Sequence, residues 1–361
     1  MSQMKTFLTV GAANSRRVNF WENALQQQKC NHKLISYNQV IDNDFPVIET
    51  PAILRITSPG EDFNLWKKIV SLGSCEECET LVFKRGLIYP NQYWYRGWCV
   101  ILKKIEGFIE KNPLVEVMNT PASIQLAFHK LECQKTIAEQ GIATPEIILD
   151  QVIDYDMLIT KLEKEKISQV FVKPYHGSSA SGVMALRQSR GRQVLYTTIA
   201  LQANSEMYNH LKLQKYNDIS QIRTIVNSMI PSGLFAENWI RKKTFQQKSV
   251  DFRILVINGE PAIVVPRMSK HFITNLHLGN EKGDIDEVEK VWGKEIIQKA
   301  KMLAVNAVDA IGGLFYAGVD VAVDSVGEPY VLEVNAFGDM LLGIDKGGLS
   351  TYEYELRELL I

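Results

Sequence analysis

Neither sign of charge dominates this 361-residue chain: 40 lysines and arginines stand against 41 aspartates and glutamates. No broad basic field is therefore available to hold nucleic acid or an anionic membrane, and a small or locally recognised partner is expected. Long apolar runs are missing too, since none approaches the ~18 residues of a membrane helix. The short run Phe7 to Val10 follows an N-terminus without a signal-peptide pattern, so a cytoplasmic protein is expected. Cysteine is sparse: five in a chain this long do not suggest a disulfide framework. Cys75 and Cys78 form C-x-x-C, but no second pair lies nearby and two glutamates separate them, which reads as solvated thiols rather than a zinc or redox site. Repeats and low-complexity tracts are absent, and the length suits two or three domains with sizeable cores.

What is present is an alternation of short strands and helical stretches. Thr6–Val10, the turn Gly11-Ala12-Ala13-Asn14-Ser15 and a helical pattern from Arg16 to about Gln28 read as the start of a doubly wound α/β domain occupying residues 1–115. It is not a dinucleotide fingerprint, because G-x-G-x-x-G is missing. Near 116 the character changes. Asn119-Thr120-Pro121 opens a helix through Ala127, and a second helix from Lys130 ends at Gln140-Gly141 with Pro145 beyond it. The stretch 161–250 is polar between apolar strands, and 251–340 is strand-rich around one helix near Glu295 to Ala310.

Gly177, Ser178, Ser179, Ser181 and Gly182 lie between two β-type runs, Gln169–Val172 and Val183–Leu186, just after Lys173. Small residues let backbone N–H groups approach an anion closely. Gly177 and Gly182 have the spacing of a Walker loop, yet Val183 and Met184 stand where that motif needs Lys and Ser/Thr, and no helix follows. By itself this hairpin is either a mobile phosphate clamp or a plain surface turn.

A second hairpin is more telling. Val319, Val321 and Val323 alternate with Asp320, Ala322 and Asp324, while Val331, Leu332 and Val334 surround Glu333 and Asn335. Period-two spacing puts Glu333 and Asn335 on one face, and a turn at Ser325–Glu328 sets Asp320 opposite Glu333. Two carboxylates and an amide oxygen then converge, hard donors suited to Mg²⁺ held jointly with substrate phosphates. The competing reading is a solvated acidic face, disfavoured because Glu333 sits among apolar residues where a spare carboxylate is costly to desolvate.

In several ordered blocks from about 117 to 340 the chain resembles the ATP-grasp superfamily, especially its glutathione-synthetase-like and ribosomal-protein glutamate-ligase-like members. Asn119–Lys130 followed by Gly141–Pro145 is similar to the entry block, whose lysine, here Lys130, contacts ATP. Val172-Lys173-Pro174 with the Gly177–Gly182 loop resembles the second lysine and its phosphate clamp. Glu237-Asn238-Trp239-Ile240 resembles the hinge that holds adenine through its backbone, and Asp251-Phe252-Arg253 the D-x-R strand after it. Arg267 matches the arginine near the transferred phosphate, Asn275 belongs to an N-L-H segment beside the reaction centre, and Asp320, Glu333 and Asn335 match a two-magnesium triad.

The resemblance implies an α/β fold: the N-terminal domain, then a two-part nucleotide-binding domain at 116–361 with a lid subdomain at about 145–238. It implies ATP and two Mg²⁺ ions as cofactors, with Mn²⁺ as an alternative ion. The implied reaction is ligation of a small-molecule or peptide carboxylate to an amine through an acyl phosphate. A small-molecule kinase on the same fold is the alternative, and an ATP-binding scaffold without chemistry is argued against by the intact triad. Two departures stand out. Ile273 occupies a position where such ligases carry an arginine, which removes a charge from the nucleotide or substrate side, and Asn335-Ala336-Phe337-Gly338-Asp339 replaces N-x-S-P-G with the metal ligands intact. These variants look like a distinct bacterial branch.

Arg16 and Arg17 begin a helix directly after the Gly11 turn, and Arg55 precedes the turn Thr57-Ser58-Pro59-Gly60; all three are candidates for holding an acidic substrate or plain surface arginines. His129, His176, His271 and His277 lack paired ligand spacing and are expected as polar lining. Trp94, Tyr95 and Trp98 are expected in core or domain interface.

Overall fold

The computed structural model describes residues 6–60, 62–73, 84–89, 91–177, 180–202 and 206–361. Cys75, Cys78, Ser178, Ser179 and the side chain of His277 lie outside the described residues.

The first layer is a parallel sheet. Strand β1 (Thr6–Gly11) leads into helix α1 (Arg16–Gln27), capped by the Ser15 hydroxyl accepting from the Val18 N–H. Then follow β2 (His32–Ser36), α2 (Tyr37–Asp42), β3 (Ala52–Ile56), α3 (Phe63–Leu72), α4 (Asn91–Lys111) and β4 (Val115–Val117). The strand order β2-β1-β3-β4, all parallel, makes the chain reverse direction across the sheet after β1. That is the doubly wound arrangement, whose crevice opens at the carboxyl ends of β1 and β3.

Two helices follow, α5 (Pro121–Phe128), with Thr120 as cap and proline in its first turn, and α6 (Lys130–Glu139). The second layer comprises β5 (Ile147–Leu149), α7 (Tyr155–Lys164), β6 (Gln169–Pro174), β7 (Met184–Ser189), β8 (Arg192–Leu201), β9 (Met207–Tyr216), α8 (Ile219–Met229) and β10 (Leu234–Asn238). Its sheet runs β5-β10-β6-β7-β8-β9 and has its own apolar core with α7 and α8. The edge strand β9 is met by Leu87, with the Ile88 N–H donating to the Met207 carbonyl, so a segment of the first hundred residues reaches across to this layer.

The third layer is built from β11 (Thr244–Phe245), β12 (Lys248–Ile257), β13 (Glu260–Ser269), β14 (Glu281–Lys282), α9 (Ile285–Trp292), α10 (Lys294–Ile311), β15 (Tyr316–Val323) and β16 (Pro329–Asn335), and α11 (Thr351–Leu360) closes the chain. Two helices replace the single one expected here. Asp284 caps α9 and Gly293, at φ +94°, breaks the chain between α9 and α10, a conformation that costs glycine little. Packing joins the first and third layers: Leu54, Trp98 and Ile105 share one core with Phe252, Ala304 and Val319. Asn119, fully buried, ties them further by donating to the Tyr316 and Ala336 carbonyls and accepting from the Phe315 and Tyr316 N–H groups.

Candidate active site

The second and third sheets face each other across a cleft of about 690 Å³, counting its open mouth. Lys173 on β6 and Glu237 on β10 line one wall and form an ion pair, because these strands are antiparallel neighbours with Lys173 opposite Phe235. Glu237 is 1% exposed; burial pushes its carboxyl up against the pull of Lys173 and, more weakly, of the Gln134 side chain, and among the described residues its Oε2 makes no aligned hydrogen bond. Beyond it, Trp239 packs between Phe171 (4.7 Å) and Phe272 (4.4 Å), with the Arg187 guanidinium 4.6 Å over its ring. Phe171, Phe272 and Ile273 supply apolar lining beside the hinge Glu237–Ile240, so the position where an arginine is usual carries a buried aliphatic side chain instead.

The opposite wall is the sheet of order β14-β13-β12-β15-β16. Asp320 and Glu333 are cross-strand partners, and a bulge just beyond Asp320 shifts the pairing to Val321 opposite Val331. Asp320 is gripped by two guanidiniums. Arg267 Nη2 lies 3.0 Å from its Oδ2, and Arg253 Nε lies 2.8 Å from its Oδ1, a charge contact rather than an aligned hydrogen bond. Burial raises the Asp320 carboxyl in spite of both arginines, and Glu333 adds to the rise. Burial, the largest single influence, acts to raise Glu333, but Lys130, which pairs with it, together with Lys173 and Arg253 outweighs this and holds it below the usual range. Arg253 fits because its guanidinium lies against Gly318, two residues before its cross-strand partner Asp320: a Cβ there would stand 2.8 Å from Arg253 Nη1. Its other end reaches to within 3.8 Å of Asp339.

The donors Asp320, Glu333 and Asn335 are all oxygen, as Mg²⁺ requires, and the Asn335 amide nitrogen donates to the Gly318 carbonyl, leaving its oxygen out of that bond. Among the described residues no group of three or more His, Cys, Asp or Glu side chains could hold an ion alone. Two carboxylates and an amide fit a cation that takes its remaining ligands from phosphate and water.

Lys130, Lys173, Glu237, Asp251, Arg267, Asn275, Asp320 and Glu333 thus meet around one cleft, with Asn238 and Ile240 at its rim. Gly177 (φ +137°) and Gly182 (φ +74°) adopt backbone angles that side chains rarely tolerate, at the joint of β6 and β7. Ser181 lies between them and the Asn91 amide donates to the His176 carbonyl at the loop's base. His176 stacks on Tyr95 at 3.7 Å and His129 lies 4.8 Å away; burial lowers His176 to about 3. Trp98 is fully buried beside Phe128, as core.

The arginines of the first layer divide. Arg16 is exposed at the start of α1, and Arg17 donates to the Phe337 carbonyl at 2.7 Å, just past Asn335. Arg55 corrects the expectation made for it. Its guanidinium is 2% exposed, pairs with Glu355 of α11 and lies over the Trp21, Tyr316 and Tyr352 rings at 4.2–4.9 Å, so no substrate reaches it.

Sequence reasoning missed Lys242 and Thr274. Both meet Asp251, which lies beneath Arg267. Arg241-Lys242-Lys243 reads as a solvated basic run, and only the fold buries its middle member. Distance from the hinge was the one available signal: Lys242 stands two residues past Ile240.

A family model described as YheC/D-like ATP-grasp matches residues 120–339. The coenzyme gamma-F420-2:alpha-L-glutamate ligase of Methanococcus maripaludis is 29% identical over 139 residues, 37% of this chain and 45% of that protein, so the aligned stretch spans under half the length of that relative. The ATP-grasp ligase PsnB, solved with a phosphomimetic variant of its minimal precursor, Mg and ADP, superposes with TM-score 0.55 at 16% identity over 100% of this chain and 98% of its own. D-alanine–D-alanine ligase from Bacillus anthracis, solved with ATP, gives 0.53 at 15% over 99% and 93%. These likenesses establish the ATP-grasp fold.

Proposed function

The chain belongs to the YheC/D-like ATP-grasp family, and on that premise we propose that it is an ADP-forming ligase joining a carboxylate to an amine in the cleft between its second and third sheets. The observation that carries the reading is the convergence of the Asp320–Glu333 pair with Lys130, Lys173 and Arg267 in one cleft. Phosphoryl transfer needs mainly positioning and charge stabilisation, and these residues supply both.

The Glu237–Ile240 hinge and its aromatic neighbours hold the base, and Lys130 and Lys173 turn from their carboxylates to the phosphates. Glu333, Asp320 and Asn335 would hold Mg²⁺, two ions in this reading, which would supply neutralising charge to the triphosphate. A carboxylate oxygen of the substrate attacks the γ-phosphorus, the bond to the β-phosphate oxygen breaks and ADP departs. The amine nitrogen then attacks the acyl carbon, inorganic phosphate leaves, and the nitrogen gives up a proton. Arg267 faces the charge that develops on the transferred group, with Asn275 beside it. The Gly177–Gly182 loop closes over the phosphates and shields the acyl phosphate from water. Arg16, exposed beside the crevice of the first sheet, is the remaining arginine candidate for an acidic substrate group.

The test is a panel of carboxylates with hydroxylamine in place of the amine. The true substrate yields a hydroxamate, ADP and phosphate together. A stable phosphorylated product without free phosphate or hydroxamate overturns the ligase reading in favour of a kinase.

A further inference from the structure

A guanidinium commonly holds one carboxylate with two parallel bonds. Arg267 does not. Its Nε donates to Asp251 Oδ1 at 2.7 Å while Nη2 of the same edge lies 3.0 Å from Asp320 Oδ2, so the edge is divided between two carboxylates on different strands. The second oxygen of Asp251 is what Arg267 would take to become bidentate, and it is already occupied. Lys242 Nζ lies 2.7 Å from Asp251 Oδ2, the Thr274 hydroxyl donates to the same oxygen, and Lys242 and Thr274 are themselves 2.7 Å apart.

All of this is enclosed: the side chains of Asp251 and Lys242 are 2% and 9% exposed, so water offers Asp251 little alternative partner. The three residues also come from three separate segments. Lys242 follows the hinge, Asp251 lies on β12, and Thr274 sits in the loop that carries Phe272 and Asn275 to the cleft.

We infer that Lys242 is a positioning residue which, by occupying Asp251 Oδ2 together with Thr274, keeps the Arg267 edge divided and so holds Nη2 against Asp320 at the reacting end of the cleft. The inference rests on the phosphoryl-transfer reading of Arg267 and Asp320. Without Lys242 the buried Asp251 carboxylate has one cation left, and Arg267 closes on it with Nε and Nη2 together. Nη2 then leaves Asp320. Nucleotide binding, carried by the hinge and the two cleft lysines, is untouched.

The experiment compares Lys242→Met, Asp251→Asn and the double variant in the full chain. In the hydroxamate assay Lys242→Met is expected to lower kcat about 30-fold or more with the KM for ATP changed less than about threefold. Asp251→Asn is expected to lower kcat as well, and the double variant to be no slower than Asp251→Asn, since both act through one contact. A readout independent of turnover is side-chain NMR of arginine. The Arg267 Nη–H signals, assigned by their loss in Arg267→Lys, should be resolved in the native chain by the bond to Asp320 and averaged in Lys242→Met.

A KM for ATP that rises while kcat holds makes Lys242 a direct nucleotide ligand and overturns the inference. So do losses that multiply in the double variant, or Arg267 signals unchanged by Lys242→Met. Should Lys242→Met fail to fold, Thr274→Val, which removes one tether and no charge, carries the same test with an expected kcat loss of about threefold to tenfold and partial averaging of the same signals. A native chain that forms no hydroxamate with any carboxylate tells against the ligase reading instead, and the NMR comparison then decides the role of Lys242 alone.

Discussion

Asp320 on β15 stands directly across from Glu333 on β16, and each carboxylate is held by cations from other segments: Arg253 and Arg267 on the first, Lys130 on the second. Burial raises the Asp320 carboxyl in spite of its two arginines, whereas the cations around Glu333 hold that carboxyl below its usual range. Replacing Glu333 with Ala removes a carboxylate that would hold Mg²⁺ and should lower hydroxamate formation by at least about 10³-fold, the scale of losing a major electrostatic contributor. The thermal midpoint should stay near that of the native chain. Retained Mg²⁺-dependent turnover in this variant is the outcome that refutes the metal assignment.

Glu237 offers one oxygen, Oε2, that no aligned hydrogen bond satisfies among the described residues. Its carboxyl is buried, pairs through Oε1 with Lys173 and lines the cleft beside the hinge. An exocyclic amino group on the base satisfies Oε2, whereas the carbonyl oxygen that guanine presents there repels it. ATP should be preferred over GTP, and Glu237→Gln, which can present a donor, should shrink the ratio of kcat/KM values by about tenfold, equivalent to about 1.4 kcal/mol. An unchanged ratio refutes this role.

Arg55 should matter for stability and not for substrate. Arg55→Ala leaves Glu355 buried without its cation, a change that typically costs about 3–5 kcal/mol. Urea unfolding should show that loss, with the KM of an accepted substrate unchanged. Arg55→Met combined with Glu355→Gln should recover much of the stability, because the uncompensated charge is gone. A raised KM at native stability would return Arg55 to the substrate site.

His176 gives a pH dependence with a definite sign. Its folded value is lowered from 6.5 to about 3, chiefly by burial, with His129 adding to the fall. Below about pH 6 the unfolded chain therefore binds a proton that the folded protein refuses. Its contribution is fully present above 6.5 and is lost as pH falls towards 3, at up to about 1.4 kcal/mol per pH unit. His176→Gln should flatten the acid limb of a stability profile by part of that slope. Identical limbs for native and variant proteins would contradict the assignment.

The sequence by itself determined the elements whose signals are local. The Gly11 turn into α1, the Thr120-Pro121 start of α5, the β6–β7 glycine joint and the alternation around Asp320 and Glu333 are written in capping chemistry and period-two spacing, which need only a few neighbouring residues. Even the Asp320–Glu333 register was legible, because a short turn limits how two strands can align. Tertiary structure alone decided which charges are buried, and against what. Arg55 reads as a substrate-holding or plain surface arginine, and nothing local singles out Lys242. One is enclosed by three aromatic rings and a glutamate 300 positions away, the other by an aspartate and a threonine from two further segments. Burial is a property of the contacts a residue finds after distant segments pack, and the free energy that makes such a cation structural or functional arises only when those segments exclude water together.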